Sequence, residues 1–117
     1  MLILPLSVKL FLAPGATDLR LGFDGLAGRV REVLQRDPLS GALFLFTNAR
    51  RTRVRVIYFD GTGLWLMTKR LEQGTFAWPL AAEGQRVLTI RAEELAALLG
   101  GLHIEVTKRP RFERRPA

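Results

Sequence analysis

Four arginines, Arg50, Arg51, Arg53 and Arg55, fall within six positions of this chain, with no acid among them. Asn48-Ala49-Arg50-Arg51-Thr52 has the composition of a hairpin tip, and Arg53 and Arg55 lie just beyond it. A guanidinium carries a permanent charge and a planar fork of donors that matches phosphate oxygens. On a hairpin, such groups suit a nucleic-acid backbone; the alternative is a solvated charged face. Asn48 either reads a base edge or simply favours the turn. Lys69 and Arg70, on the next apolar segment, are placed to support the same contacts. Lys108, Arg109, Arg111, Arg114 and Arg115 make a second basic segment, of a kind that adds affinity without sequence choice. Tyr58, Phe59 and Trp65 would stack on bases if exposed. Large rings usually supply core area, and core is the preferred reading for these three.

The charge of the whole chain agrees with that chemistry. Lys and Arg total 18 against 11 acids, for a net charge of +7 over 117 residues. Residues 48–56 and 107–117 each carry +4, so the positive charge is segregated and attracts polyanions. Other chemistries lack their parts. The absence of cysteine excludes a disulfide scaffold, a thiol nucleophile and a sulfur-ligated zinc site. His103 is the single histidine, flanked by Leu102 and Ile104, and reads as a structural residue rather than a general base. Asp18, Asp24, Asp37 and Asp60 sit where caps and turns account for them. Gly22, Gly25 and Gly28 lack the Lys-Ser/Thr pair of a phosphate-cradling loop. No catalytic residue, metal ligand or cofactor is expected.

The elements that must position these residues follow from periodicity. Val8–Leu12 reads as a first strand ended by Pro14-Gly15. Leu26, Val30, Val33 and Leu34 recur at helical spacing within Phe23–Gln35, with Asp24 as N-cap and Asp37-Pro38 as the stop. Gly25 and Gly28 either weaken that helix or allow close packing on a sheet. Ala42–Phe46 reads as a buried strand, and Arg53–Phe59 as a strand with Val54, Val56 and Tyr58 on one face. Asp60-Gly61-Thr62-Gly63 is a turn, and Leu64–Leu71 the next strand. Thr75–Trp78 reads as a short strand and Val87–Thr89 as an edge strand. Arg91–Leu99 is a second helix, with Thr89 as N-cap, Leu95, Leu98, Leu99 and Leu102 as its stripe and Gly100-Gly101 as its stop.

The predicted object is an α+β domain over residues 1–106, an antiparallel meander with one or two packed helices. A small closed barrel is the alternative. Residues 107–117 read as a mobile basic tail. The predicted core includes Leu26, Val30, Leu34, Phe44, Phe46, Val56, Leu95 and Leu98. No apolar run approaches about 18 residues, so no membrane span is expected. The segment MLILPLSVKLFLAPGA lacks a basic residue before its apolar run and is interrupted by Lys9, so a cytoplasmic location is expected.

Several segments in register resemble a known family. They are Asp18-Leu19-Arg20, Gly22-Phe23-Asp24-Gly25-Leu26, Asp37-Pro38-Leu39-Ser40-Gly41 and Leu43-Phe44-Leu45-Phe46. The match continues through Asn48 and the arginines, Tyr58-Phe59-Asp60-Gly61, Lys69-Arg70-Leu71-Glu72, Gly74-Thr75-Phe76, Trp78-Pro79 and Leu88-Thr89. Together they resemble the TnpB accessory protein of the insertion-sequence 66 transposon family, from about Val8 to Leu102. Phe59 stands where that family usually has tryptophan, and Leu19 and Leu21 replace a common methionine and lysine. The resemblance implies a setting in transposition, with a separate, larger transposase as the catalyst. It does not extend to the longer RNA-guided nuclease that shares the name. The expectation is a non-catalytic accessory protein that binds DNA through the arginine hairpin. The alternative is a module that docks on the transposase.

Overall fold

The computed structural model describes residues 2–5, 8–100 and 104–107. Among these residues, seven strands and two helices occur in the order β1 (Leu2–Pro5), β2 (Leu10–Leu12), α1 (Phe23–Glu32), β3 (Leu43–Thr47), β4 (Arg53–Phe59), β5 (Leu64–Arg70), β6 (Leu88–Ile90), α2 (Ala92–Leu98) and β7 (Ile104–Thr107). The fold is α+β, built on an open five-stranded sheet in the order β5-β4-β3-β2-β6. The barrel alternative does not occur. β3, β4 and β5 form the expected antiparallel meander. β2 departs from it: it runs parallel to β3, because α1 carries the chain back across the sheet between them. β6 closes the other edge antiparallel to β2. β1 and β7 pair in parallel as a separate two-stranded sheet. Two sequence expectations change here. The first strand is Leu2–Pro5 rather than Val8–Leu12, which shortens to Leu10–Leu12. The chain is also still in a strand at Thr107, where the tail was expected to start.

Both faces of the sheet are covered, which is why β3 is buried at all five positions. Phe44, Phe46 and Ile57 face Leu26, Ala27, Val30 and Leu34 around α1. Leu10, Leu12, Leu43, Leu45, Val54 and Val56 face Leu95 and Leu99 of the α2 segment. Phe76 and Trp78 fill the second face too, but from an irregular segment; Thr75–Trp78 is not a strand. The Trp78 indole N–H donates to the Ala13 carbonyl at 3.0 Å, and the Phe76 N–H to the Arg51 carbonyl at 2.7 Å. These bonds satisfy the backbone groups that a ladder would otherwise have used. Leu98 is only half-buried, since α2 turns Leu95 and Leu99 inward.

The helix ends differ from expectation in ways their geometry explains. The N-cap of α1 is Gly22, with no side-chain cap; Asp24 lies inside the first turn, where an acid favours the helix dipole. The N-cap of α2 is Arg91, and Glu94 reaches back to its N–H at 3.0 Å, while Thr89 belongs to β6. A Cβ on Gly25 would lie 2.9 Å from the Leu21 side chain, so that glycine admits the chain entering the helix. A Cβ on Gly28 would meet nothing within 4 Å. Neither glycine serves helix–sheet packing. Gly28→Ala is therefore expected to stabilise the domain by about 0.5–1 kcal/mol, through lower helix-forming entropy cost. A thermal melt of the variant should rise by about 2–5 °C; a fall would mean that Gly28 has a packing role.

Candidate nucleic-acid interface

The hairpin between β3 and β4 is held by Asn48. Its Oδ1 accepts the N–H groups of Thr52 at 2.9 Å and Arg53 at 3.1 Å, and its Nδ2 donates to the Thr52 hydroxyl at 3.0 Å. Asn48 thus builds the turn, and its amide is engaged there rather than offered to a base edge. Arg51 takes a left-handed conformation, φ 57°, which turns it inward beneath the segment that follows β5. Its Nη1 is buried with no hydrogen-bond partner among the described residues. Arg55 is half-buried, and its Nη1 donates to the Leu21 carbonyl at 3.0 Å, tying the entry of α1 to the sheet. Lys69 Nζ donates to the Leu99 carbonyl, closing the C-terminal end of α2.

Lys69 is nonetheless exposed, and among the described residues three further basic side chains stand at the surface of this end of the sheet. Arg50 is exposed at the hairpin tip, and Arg53 and Arg70 are exposed at the adjoining ends of β4 and β5. Arg53 and Arg70 are direct partners in the β4–β5 register. The Asn48 N–H bonds the Arg53 carbonyl and the Leu71 N–H bonds the Thr52 carbonyl. Alternation from those two bonds makes Arg53–Arg70 a non-hydrogen-bonded pair, the type with Cα atoms about 4.5 Å apart and side chains closest. Like charges directly opposite are destabilising. Glu72 offsets only one of them, at 3.4 Å from Arg70 and in an exposed setting. Among the described residues Arg50 and Arg53 make no ion pair. Lys108, Arg109 and Arg111, and likewise His103, lie outside the described residues.

The acids occupy local roles. Asp18 binds Arg20 through a 2.9 Å contact, and that hydrogen bonding holds its carboxyl down at about 2. Asp37 accepts the Leu39 N–H at 2.9 Å. Asp60 accepts from the Thr62 N–H and hydroxyl and the Gly63 N–H, and its Oδ2 takes the Trp65 indole N–H at 2.7 Å. Gly61, at φ 102°, lets the chain turn inside that cage. The Thr62 backbone bond first, then Trp65, hold the Asp60 carboxyl far below the ordinary aspartate range. Its ionised form is favoured by folding, so this contribution is complete above about pH 4 and declines as pH falls below it. An acid series of denaturant midpoints should therefore fall less steeply below pH 4 for Asp60→Asn than for the wild type; parallel curves would remove Asp60 from the account. Among the described residues no group of three or more His, Cys, Asp or Glu is placed to hold a metal ion, and no helix is long and apolar enough to cross a membrane.

At the other end of the sheet an open groove of about 550 Å³ is lined by Phe11, Arg36, Leu39, Tyr58, Phe59 and Asp60, among others. The Arg36 guanidinium lies over the Phe11 ring at 5.2 Å, and Phe11 stacks on Phe44 at 5.6 Å. Trp65 is 56% exposed, against the expectation of a core residue, because its indole reaches out to Asp60.

Comparison with known proteins places these features in a family. The model of the family described as IS66 Orf2 like protein matches residues 8–109. The chain is 43% identical over 107 residues to the uncharacterized protein y4hO of Sinorhizobium fredii, covering 89% of this chain and 91% of that one. It is 36% identical over 107 residues to y4jC of the same organism, also uncharacterized, covering 92% and 90%. No solved structure matches the chain.

Proposed function

The chain belongs to the IS66 Orf2-like family of insertion-sequence accessory proteins, and from that premise we propose that it is a non-catalytic protein that holds DNA on the arginine corner of its sheet. The observation that carries this reading is the Arg53–Arg70 pair. Two exposed arginines lie directly opposite each other across a strand pair, with Arg50 at the adjacent tip. That placement costs stability in the free protein and is relieved by a polyanion that both can share. Phosphate oxygens spaced along a backbone meet that requirement, and among the described residues no element presents a base-reading array, so the contact is with backbone more than sequence. A salt titration of duplex binding tests it: affinity should fall linearly with salt on logarithmic axes. Absence of binding near 50 mM salt would defeat it.

A second reading, docking on the element's transposase, draws support from the aromatic-lined groove around Phe11 and Tyr58 and from Leu39, 48% exposed beside it. Pull-down with the other element-encoded proteins, with Leu39→Asp as the comparison, separates it from DNA binding. Loss of capture in that variant with DNA affinity intact would favour the second reading.

A further inference from the structure

β5 is the terminal strand of the five-stranded sheet, and no described strand pairs with its outer side. It is regular over seven residues, contains no proline and pairs with β4 along its whole length. The Leu71 N–H points to β4, so by alternation the N–H and C=O groups of Leu64, Leu66, Thr68 and Arg70 point away from it. Such an edge is a template for another strand.

We propose that this edge pairs with the same edge of a second copy, antiparallel, giving a two-fold homodimer with one continuous sheet. Outward-facing residues must meet outward-facing residues, which restricts the register. The one with full overlap sets Leu64 against Arg70 of the second copy, Leu66 against Thr68, Trp65 against Lys69, and Met67 against itself. It uses every outward group, for about eight backbone hydrogen bonds. The charges select the orientation. Both cations of β5, Lys69 and Arg70, lie at one end, while Trp65, bonded to the ionised Asp60, lies at the other. An antiparallel copy brings the cationic end of each β5, where Lys69 keeps its bond to the Leu99 carbonyl, beside the opposing Trp65 and Asp60, an arrangement that suits charge attraction. A parallel copy would stack the cations on one another. The exposed Trp65 gains cover, and the contact is isologous, so it closes at two copies instead of growing into a filament. The two-fold axis is perpendicular to the sheet, so both Arg53–Arg70 pairs fall on the same face.

Sedimentation velocity over a concentration series tests the proposal without reference to DNA. The expected species has about twice the 13.1 kDa mass of the chain. A mass that stays monomeric to about 200 µM overturns the proposal. Thr68→Pro removes an outward N–H without breaking the β4 ladder and should give a folded monomer by circular dichroism; a folded dimer would exclude this edge. Met67→Cys gives a readout that does not depend on that variant folding. The chain has no native cysteine, and the two-fold brings position 67 to its symmetry mate at about 4.5 Å between Cα atoms, within disulfide reach. Mild oxidation should link Met67→Cys chains much faster than Ala77→Cys chains, which carry the thiol on an exposed segment elsewhere. Equal rates would overturn the register.

Discussion

Phe44→Ala is expected to cost about 3–5 kcal/mol and to leave little folded protein at 37 °C. Phe44 is fully buried in β3, stacked on Phe11 and covered by α1. Truncation removes the ring's transfer energy and opens a cavity that neighbours on a sheet cannot easily close. It also takes away the surface on which Phe11 holds the Arg36 guanidinium. Leu98→Ala is the comparison, because periodicity places both residues in the core whereas the fold leaves Leu98 half-buried. Its cost should be about 1 kcal/mol or less. Denaturant midpoints for the two variants decide the matter: equal losses would mean that α2 packs through Leu98 as well as Leu95.

The part of this fold that was legible in the sequence is the part fixed locally. β4 matches its expected span, Arg53–Phe59, because strict alternation is bounded by an Asn-containing turn on one side and Asp-Gly on the other. α1 and α2 appear where apolar residues recur at helical spacing. The parallel pairing of β2 with β3 left no local trace, since both a parallel and an antiparallel strand read as short apolar runs. Thr75–Trp78 misled for a related reason. Aromatic content signals burial, and burial is what Phe76 and Trp78 have, but in an irregular segment bonded to Arg51 and Ala13. β1 was missed because a four-residue segment ending in proline resembles a leader more than a strand.

The candidate site shows the same division. Residue type marked the arginine cluster, but direction depends on dihedrals and register that a sequence does not display. Arg51 turns inward through a left-handed φ, Arg55 is spent on the Leu21 carbonyl, and Lys69 closes α2. Arg70 gains importance only because the β4–β5 turn length sets it opposite Arg53. The spacing of Asp60-Gly61 before Leu64 contained that information in principle, since a hairpin turn fixes register.

Replacing Arg50 and Arg53 together by alanine should therefore weaken duplex DNA binding by roughly 100-fold near 50 mM salt and flatten the salt dependence by about 2 logarithmic units. Each phosphate neutralised releases condensed counterions, giving a slope near −0.9 per contact, so Arg50, Arg53 and Arg70 together supply a slope of about −3. All duplex sequences should weaken alike, because backbone contacts carry no base information. Folding should stay intact, since both side chains are exposed and removing Arg53 relieves its repulsion with Arg70. Arg51→Ala and Lys69→Ala make the necessary contrast. Those side chains serve the packing beneath the hairpin and the end of α2, so their loss should lower the melting temperature and leave the salt slope nearly unchanged. Deleting residues 108–117 tests the second basic segment separately. If the Arg50/Arg53 variant kept wild-type affinity and slope while the deletion abolished binding, the DNA contact would belong to that segment. The sheet corner would then be no more than a charged surface, and the docking reading would gain the arginines as a face for an acidic partner.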